Sequence, residues 1–144
     1  MNINDRVEEF KCELKMYNLH KNRKAEFEES IESIESEMAT IKGICTDKIK
    51  YENISPEEVE KRLIALIDRK IRLEKEIDRR NNRIEYTDSI LSLMNKEQLV
   101  RDFFFDDEMD YKKIALKHFI DERQVYREID NAIKKALETE NCQY

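Results

Sequence analysis

At 144 residues the chain has room for one or two domains. Its composition, 42% charged with one glycine, one proline and no tryptophan, excludes a sheet protein or a compact enzyme and fits long, solvent-exposed helices. The net charge of −6 excludes nucleic-acid binding by the whole surface, and the periodic recurrence of the 40% hydrophobic residues argues against disorder.

The first predicted helix runs from about Asn4 to near Ile44. Ile3, Val7, Phe10, Leu14 and Tyr17 follow alternating steps of four and three. A second register holds Phe27, Ile31, Ile34, Met38, Ile41 and Cys45. The two do not join, and the polar stretch Asn18 to Lys24 contains the offset. A continuous helix with a local stutter is the expectation. Gly43 to Asn53 reads as the first connection.

Ser55-Pro56-Glu57-Glu58 is a helix-start signature: serine as N-cap, proline at the first helical position, glutamate at the third. The second long helix is predicted from Pro56 to about Met94. Val59, Leu63, Leu66, Leu73, Ile77, Ile84, Leu91 and Met94 keep a heptad register, interrupted by Lys70, Arg80 and Thr87. Ile64, Ile67 and Ile71 widen the apolar stripe, which implies more than one neighbour. Charged faces such as Glu28-Glu29-Ser30, and Arg79-Arg80 with Arg83, read as solvated. Two helices of roughly 40 residues, each about 60 Å long, joined by one short connection, make an antiparallel, coiled-coil-like hairpin over residues 1–94 the simplest arrangement.

Asn95 is a candidate N-cap, with Gln98 at the third position, for a short helix through Leu99, Val100, Phe103 and Phe104. The Phe103-Phe104-Phe105 cluster reads as core, and Asp106 to Met109 as a turn. From Asp110 two short amphipathic helices follow. Asp110 is the N-cap of the first, Tyr111 to about His118. Asp121 is the N-cap of the second, Glu122 to about Leu137. Ile114 and Ala115 face inward from the first; Val125, Ile129, Ala132, Ile133 and Ala136 recur at helical spacing in the second. The outer face of the second carries Arg123, Gln124 and Arg127 near its start and Lys134 and Lys135 nearer its end. That is the layout of a DNA-reading helix-turn-helix over residues 95–144. Asp110 to Leu137 carries seven cations against five anions, a net +2, so the remainder carries −8.

This segment resembles the helix-turn-helix of sigma-70 region 4, and more closely that of the RinA and ArpU type phage transcription regulators. The matching residues are Ile114-Ala115, Asp121-Glu122-Arg123-Gln124-Val125-Tyr126-Arg127, Ala132 and Ala136-Leu137. Those regulators also carry a long, charged helical N-terminal half. Two positions depart: Phe119 stands where the turn often has glycine, and His118 where the first helix often has leucine. The resemblance implies a sequence-specific regulator activating phage or prophage late genes alongside host RNA polymerase. The DNA-facing set is Lys112, Lys113, Arg123, Gln124, Arg127, Asn131 and Lys134. A small-terminase-like packaging subunit and a coiled-coil protein adaptor stay open as alternatives, as does homo-oligomerisation through the long helices.

No catalytic or cofactor pattern is present: there is no Gly-rich phosphate loop, nucleophile set or metal spacing. An enzyme is therefore not expected. Cys12, Cys45 and Cys142 are widely spaced with no CxxC, and only His20 and His118 could join a metal site, so free thiols in a reducing cytosol are expected. Asp5, Arg6, Glu8 and Glu9 interrupt the N-terminus, which speaks against a signal peptide, and no run approaches the ~20 apolar residues of a membrane span. A cytoplasmic protein is the expectation.

Overall fold

The structure is a computed structural model and describes residues 2–46, 55–106 and 110–142, without the side chains of 44–46 and 142. The fold is all-α. Two long helices, α1 (Ile3–Thr46) and α2 (Pro56–Ser92), are followed by three short ones, α3 (Glu97–Phe105), α4 (Tyr111–His118) and α5 (Val125–Cys142). Among the described residues there is no strand, and no helix is long and apolar enough to cross a membrane.

The N-caps agree with the local chemistry. The Ser55 hydroxyl accepts from the Glu58 amide at 3.2 Å, Asp110 from the Lys113 amide at 2.9 Å, and Asp121 from the Arg123 amide at 3.2 Å. Each serves a donor that the first helical turn leaves without a partner. α1 passes through Asn18–Lys24 without a break and includes Gly43. The predicted connection thus starts later than Gly43, since α1 runs on to Thr46; its remaining residues, 47–53, lie outside the described residues, as does most of the Asp106–Met109 turn.

Two expected helix starts are corrected. Asn95 does not cap α3; the N-cap is Lys96, with no side-chain bond to the helix. The reason lies in the end of α2, where Leu93 and Met94 amides donate back three residues, to Ile90 and Leu91. This tightened last turn leaves Asn95 within the connection rather than at the helix start. The second helix of the helix-turn-helix does not begin as α-helix at Glu122. Glu122–Gln124 form a 3-10 turn, closed by Gln124 N–H donating to the Asp121 carbonyl at 2.8 Å, and the α-helix then extends beyond Leu137 to Cys142.

The chain divides into two compact units. One gathers Met1–Lys21 with Asn82–Tyr144; the other is Asn22–Asn81. This differs from a division at residue 94, and the core of the first unit explains why. Val7, Phe10 and Leu14 of α1 and Ile90, Leu91 and Met94 from the end of α2 are buried with Leu99 and Val100, Ile114 and Ala115, and the inner stripe of α5. Three short helices alone bury too little surface to be stable, so the ends of the long helices complete their core. Polar ties reinforce it. Arg6 reaches Glu140 at 3.4 Å, Lys11 reaches Asp130 at 2.5 Å, and Tyr17 Oη donates to Asp88 at 2.7 Å. Phe105 stacks on Tyr17 at 4.4 Å between ring centres, and Asn18 donates to the Phe105 carbonyl. The aromatic cluster, expected to be core, is only partly buried and packs against the core, shared between α3 and α1, with Phe103 set edge-on to Tyr111 and Tyr126.

In the second unit α1 and α2 meet through buried Ile34, Ile41 and Val59, with Lys70 bonded to Glu35 at 3.1 Å. Lys70 breaks the heptad pattern by bringing its ammonium to a carboxylate beside the seam.

The turn after α4 holds the one non-glycine residue with positive φ among those described, Phe119 at φ 56°, ψ 41°. The amides of Phe119 and Ile120 both donate to the Ala115 carbonyl, which closes the helix in the manner usual for a left-handed cap. That backbone costs a phenylalanine about 1–2 kcal/mol, and at 95% exposure its ring recovers nothing by burial. Phe119→Gly is therefore expected to raise stability by about 0.5–1 kcal/mol after the entropy cost of glycine. Phe119→Val should lower it. Urea unfolding read by circular dichroism checks both; a destabilising glycine would show that the ring is held by contacts.

Candidate nucleic-acid interface

α4, the turn and α5 occupy the segment expected to form a helix-turn-helix, and the inner stripe of α5 sets which residues face outward. Val125, Ile129, Ala132, Ile133, Ala136 and Leu137 are each at most 2% exposed. Spacings of three and four put all six on one side, so Arg127, Asn131 and Lys134 share the other. All seven residues of the DNA-facing set, Lys112, Lys113, Arg123, Gln124, Arg127, Asn131 and Lys134, are exposed. The 3-10 turn changes one relation among them. It winds about 120° per residue instead of 100°, so Arg123 and Gln124 are rotated away from the row that Arg127, Asn131 and Lys134 make. Lys112 and Lys113 lie on the first turn of α4.

The electrostatics of this face depend on where its acids are engaged. The segment has five anions: two cap its own helices and two pair with cations outside it. Asp110 and Asp121 cap helices. Glu128 pairs with Lys96, and Asp130 with Lys11. Burial works against the Lys11 ammonium, but bonds and charge from Asp130 and Glu8 outweigh it and raise its pKa above the ordinary lysine value. Among the described residues, Lys112, Arg123, Arg127 and Lys134 enter no ion pair. Glu122 is the one acid of the segment left exposed without a partner among them. At the far end the balance changes: Asn131 and Lys134 border an open groove with Asp5 and Glu8. Positive charge is therefore least opposed around Arg127, whose neighbouring acids are paired elsewhere, and more opposed at Arg123, which follows Asp121 and Glu122.

A buried carboxylate positions α4, and sequence reasoning did not find it. Asp102 of α3 is 5% exposed. Its Oδ2 accepts from Lys117 Nζ at 2.9 Å and His118 Nε2 at 2.7 Å, and its Oδ1 from Gln98 at 2.8 Å. His118 thus ties the last turn of α4 to α3. The spacing Gln98–Asp102, four apart on a helix predicted to be apolar inside, was the available signal. Among the described residues no group of histidines, cysteines and acids is arranged to hold a metal, and Cys12 is an exposed free thiol.

Comparison of the chain with protein-family models, with curated proteins and with solved structures gave no significant match.

Burial raises the pKa of Asp102, but the bonds from Lys117, His118 and Gln98 outweigh it and hold the carboxyl below its ordinary value. A depressed folded value means that the stabilisation is present above the unfolded value near 3.8 and is lost as pH falls through the folded one. Asp102→Asn should cost about 1.5–3 kcal/mol at neutral pH, the range for bonds to a charged group. The gap between variant and parent should close below about pH 4. Denaturant midpoints at several pH values test this; a gap that persists at low pH would remove the ionised carboxylate as its cause.

Proposed function

We propose that the chain is a sequence-specific double-stranded DNA-binding transcription regulator that reads its site with the helix-turn-helix. The observation that carries this reading is the division of charge on the segment. Four of its five acids, all but Glu122, are engaged in caps or with cations of other elements, while Lys112, Arg123, Arg127 and Lys134 stay exposed without ion pairs among the described residues. Exposed cations are ordinary on a solvated helix, but a helix entering a groove lined by phosphates gains affinity from them.

The roles derive from donor and acceptor geometry. Arg123 and Arg127 suit the paired acceptors of guanine, and Gln124 and Asn131 the donor-acceptor edge of adenine. Lys112, Lys113 and Lys134 hold phosphates and supply affinity without sequence choice. The acidic remainder, at −8, favours approach by this end. The resemblance to RinA and ArpU type regulators adds the context, late-gene activation in a phage or prophage with host RNA polymerase as partner, in the cytoplasm. No catalytic step is part of this reading.

Site selection from random duplexes, followed by anisotropy titrations at several salt concentrations, tests it. Gln124→Ala or Arg127→Ala should cost about 1–3 kcal/mol on the selected site and flatten its preference over scrambled DNA. Lys134→Ala should weaken both alike and reduce the salt slope by about one. An unchanged ratio of specific to scrambled binding in the first two variants would mean that this helix does not read bases. Absence of salt-sensitive binding in the parent would favour a protein adaptor.

A further inference from the structure

We propose that the Tyr126 hydroxyl donates to a phosphate oxygen of bound double-stranded DNA. This rests on the DNA-binding reading above and adds to it an uncharged contact at the corner where α4 and α5 meet. Tyr126 is the second residue of α5 and is 52% exposed. Two rings hold its own. It lies edge-on to Tyr111, the first residue of α4, at 4.7 Å between ring centres, and to Phe103 of α3 at 5.5 Å. Phe103 and Tyr111 meet edge-on at 5.8 Å, which closes the triangle. The ring is therefore restricted in rotation while the residue stays half exposed. Its hydroxyl forms no hydrogen bond among the described residues.

Position selects the acceptor. In a helix-turn-helix the first helix crosses the DNA backbone, while the start of the second meets base edges. Tyr126 joins the two: it belongs to the second helix and touches the first residue of the first. Lys112 and Lys113, the next residues of α4, are the cations assigned to phosphates. On the other side, Arg123 stands three residues before Tyr126, hence on the same flank, and Arg127 follows it. A backbone strand held by α4 while those arginines meet bases runs past the exposed edge of the tyrosine. Phosphate oxygens are ordinary acceptors for tyrosine in such interfaces. The packing on Tyr111 and Phe103 does not require the hydroxyl, since a phenylalanine ring makes the same contacts. It does restrict the side chain beforehand, so that little freedom is lost on binding.

Tyr126→Phe in the full chain isolates the hydroxyl, because the ring and its packing remain. Helicity by circular dichroism and the urea midpoint should not change. Anisotropy titrations should show the selected duplex and scrambled DNA both bound about fivefold or more weakly, with their ratio preserved. The salt slope should be preserved too, since a neutral donor displaces no counterion; that separates this contact from Lys134. Replacing one phosphate at a time by a neutral methylphosphonate should find a position at which parent and Tyr126→Phe bind equally. Undiminished binding by Tyr126→Phe, a changed ratio of selected to scrambled binding, or a loss of equal size on every methylphosphonate duplex would each overturn the proposal. DNA binding by the parent survives all three outcomes. A parent with no salt-sensitive binding would instead defeat the DNA-binding reading itself, and this contact with it.

Discussion

Everything about the C-terminal module depends on the burial of one stripe, the inner face of α5. Its six side chains are almost wholly removed from water, yet α4 and α3 are only eight and nine residues long. Two such helices cannot cover an 18-residue helix on their own. Val7, Phe10 and Leu14 of α1, with Ile90, Leu91 and Met94 from the end of α2, supply the missing walls. A helix-turn-helix is commonly thought of as a unit appended to something else. Here the core of the corresponding segment is completed by residues more than a hundred positions earlier.

The same packing has an electrostatic consequence. Ile129 is buried, and the acids on either side of it, Glu128 and Asp130, sit at the edges of the contact. There they meet Lys96 and Lys11. These pairs are partly solvated and each contributes little to stability. Their effect on the outer surface is larger: they withdraw two negative charges from the neighbourhood of Arg127. A segment whose formal charge is only +2 thereby offers a face more positive than that figure implies.

Much of this was legible in the sequence. Capping is local chemistry, so Ser55, Asp110 and Asp121 announced their helices, and periodicity identified the buried positions of α5. Periodicity does not name a partner, however. The register Ile3 to Tyr17 looked like one more coiled-coil seam, though its role is to close the core of α5. The clue was the change of register between Asn18 and Lys24, which brackets the boundary between the units at Lys21 and Asn22. Asp102 was hidden for a related reason: a lone acid in an apolar helix has meaning only once Lys117 and His118 arrive from α4. The shift of the α3 start from Asn95 to Lys96 depended on how α2 ended, which no local signal at Asn95 expresses.

His118 and Phe119 are adjacent at the end of α4, and each meets a different local demand. A leucine at the end of α4 would be held by apolar contact with α3. His118 substitutes a directed bond to a buried carboxylate, which fixes the angle of α4 as well as its distance but depends on Asp102 being ionised. Phe119 has no comparable compensation of its own. Its left-handed backbone is sustained by its neighbour Ile120, which is partly buried against the core and whose amide donates to the Ala115 carbonyl. The strain at one residue is thus offset by packing at the next, so the turn keeps the direction that brings Asp121 to the start of the second helix. The phenylalanine alters instead the outer surface of that turn, where glycine would leave no side chain at all.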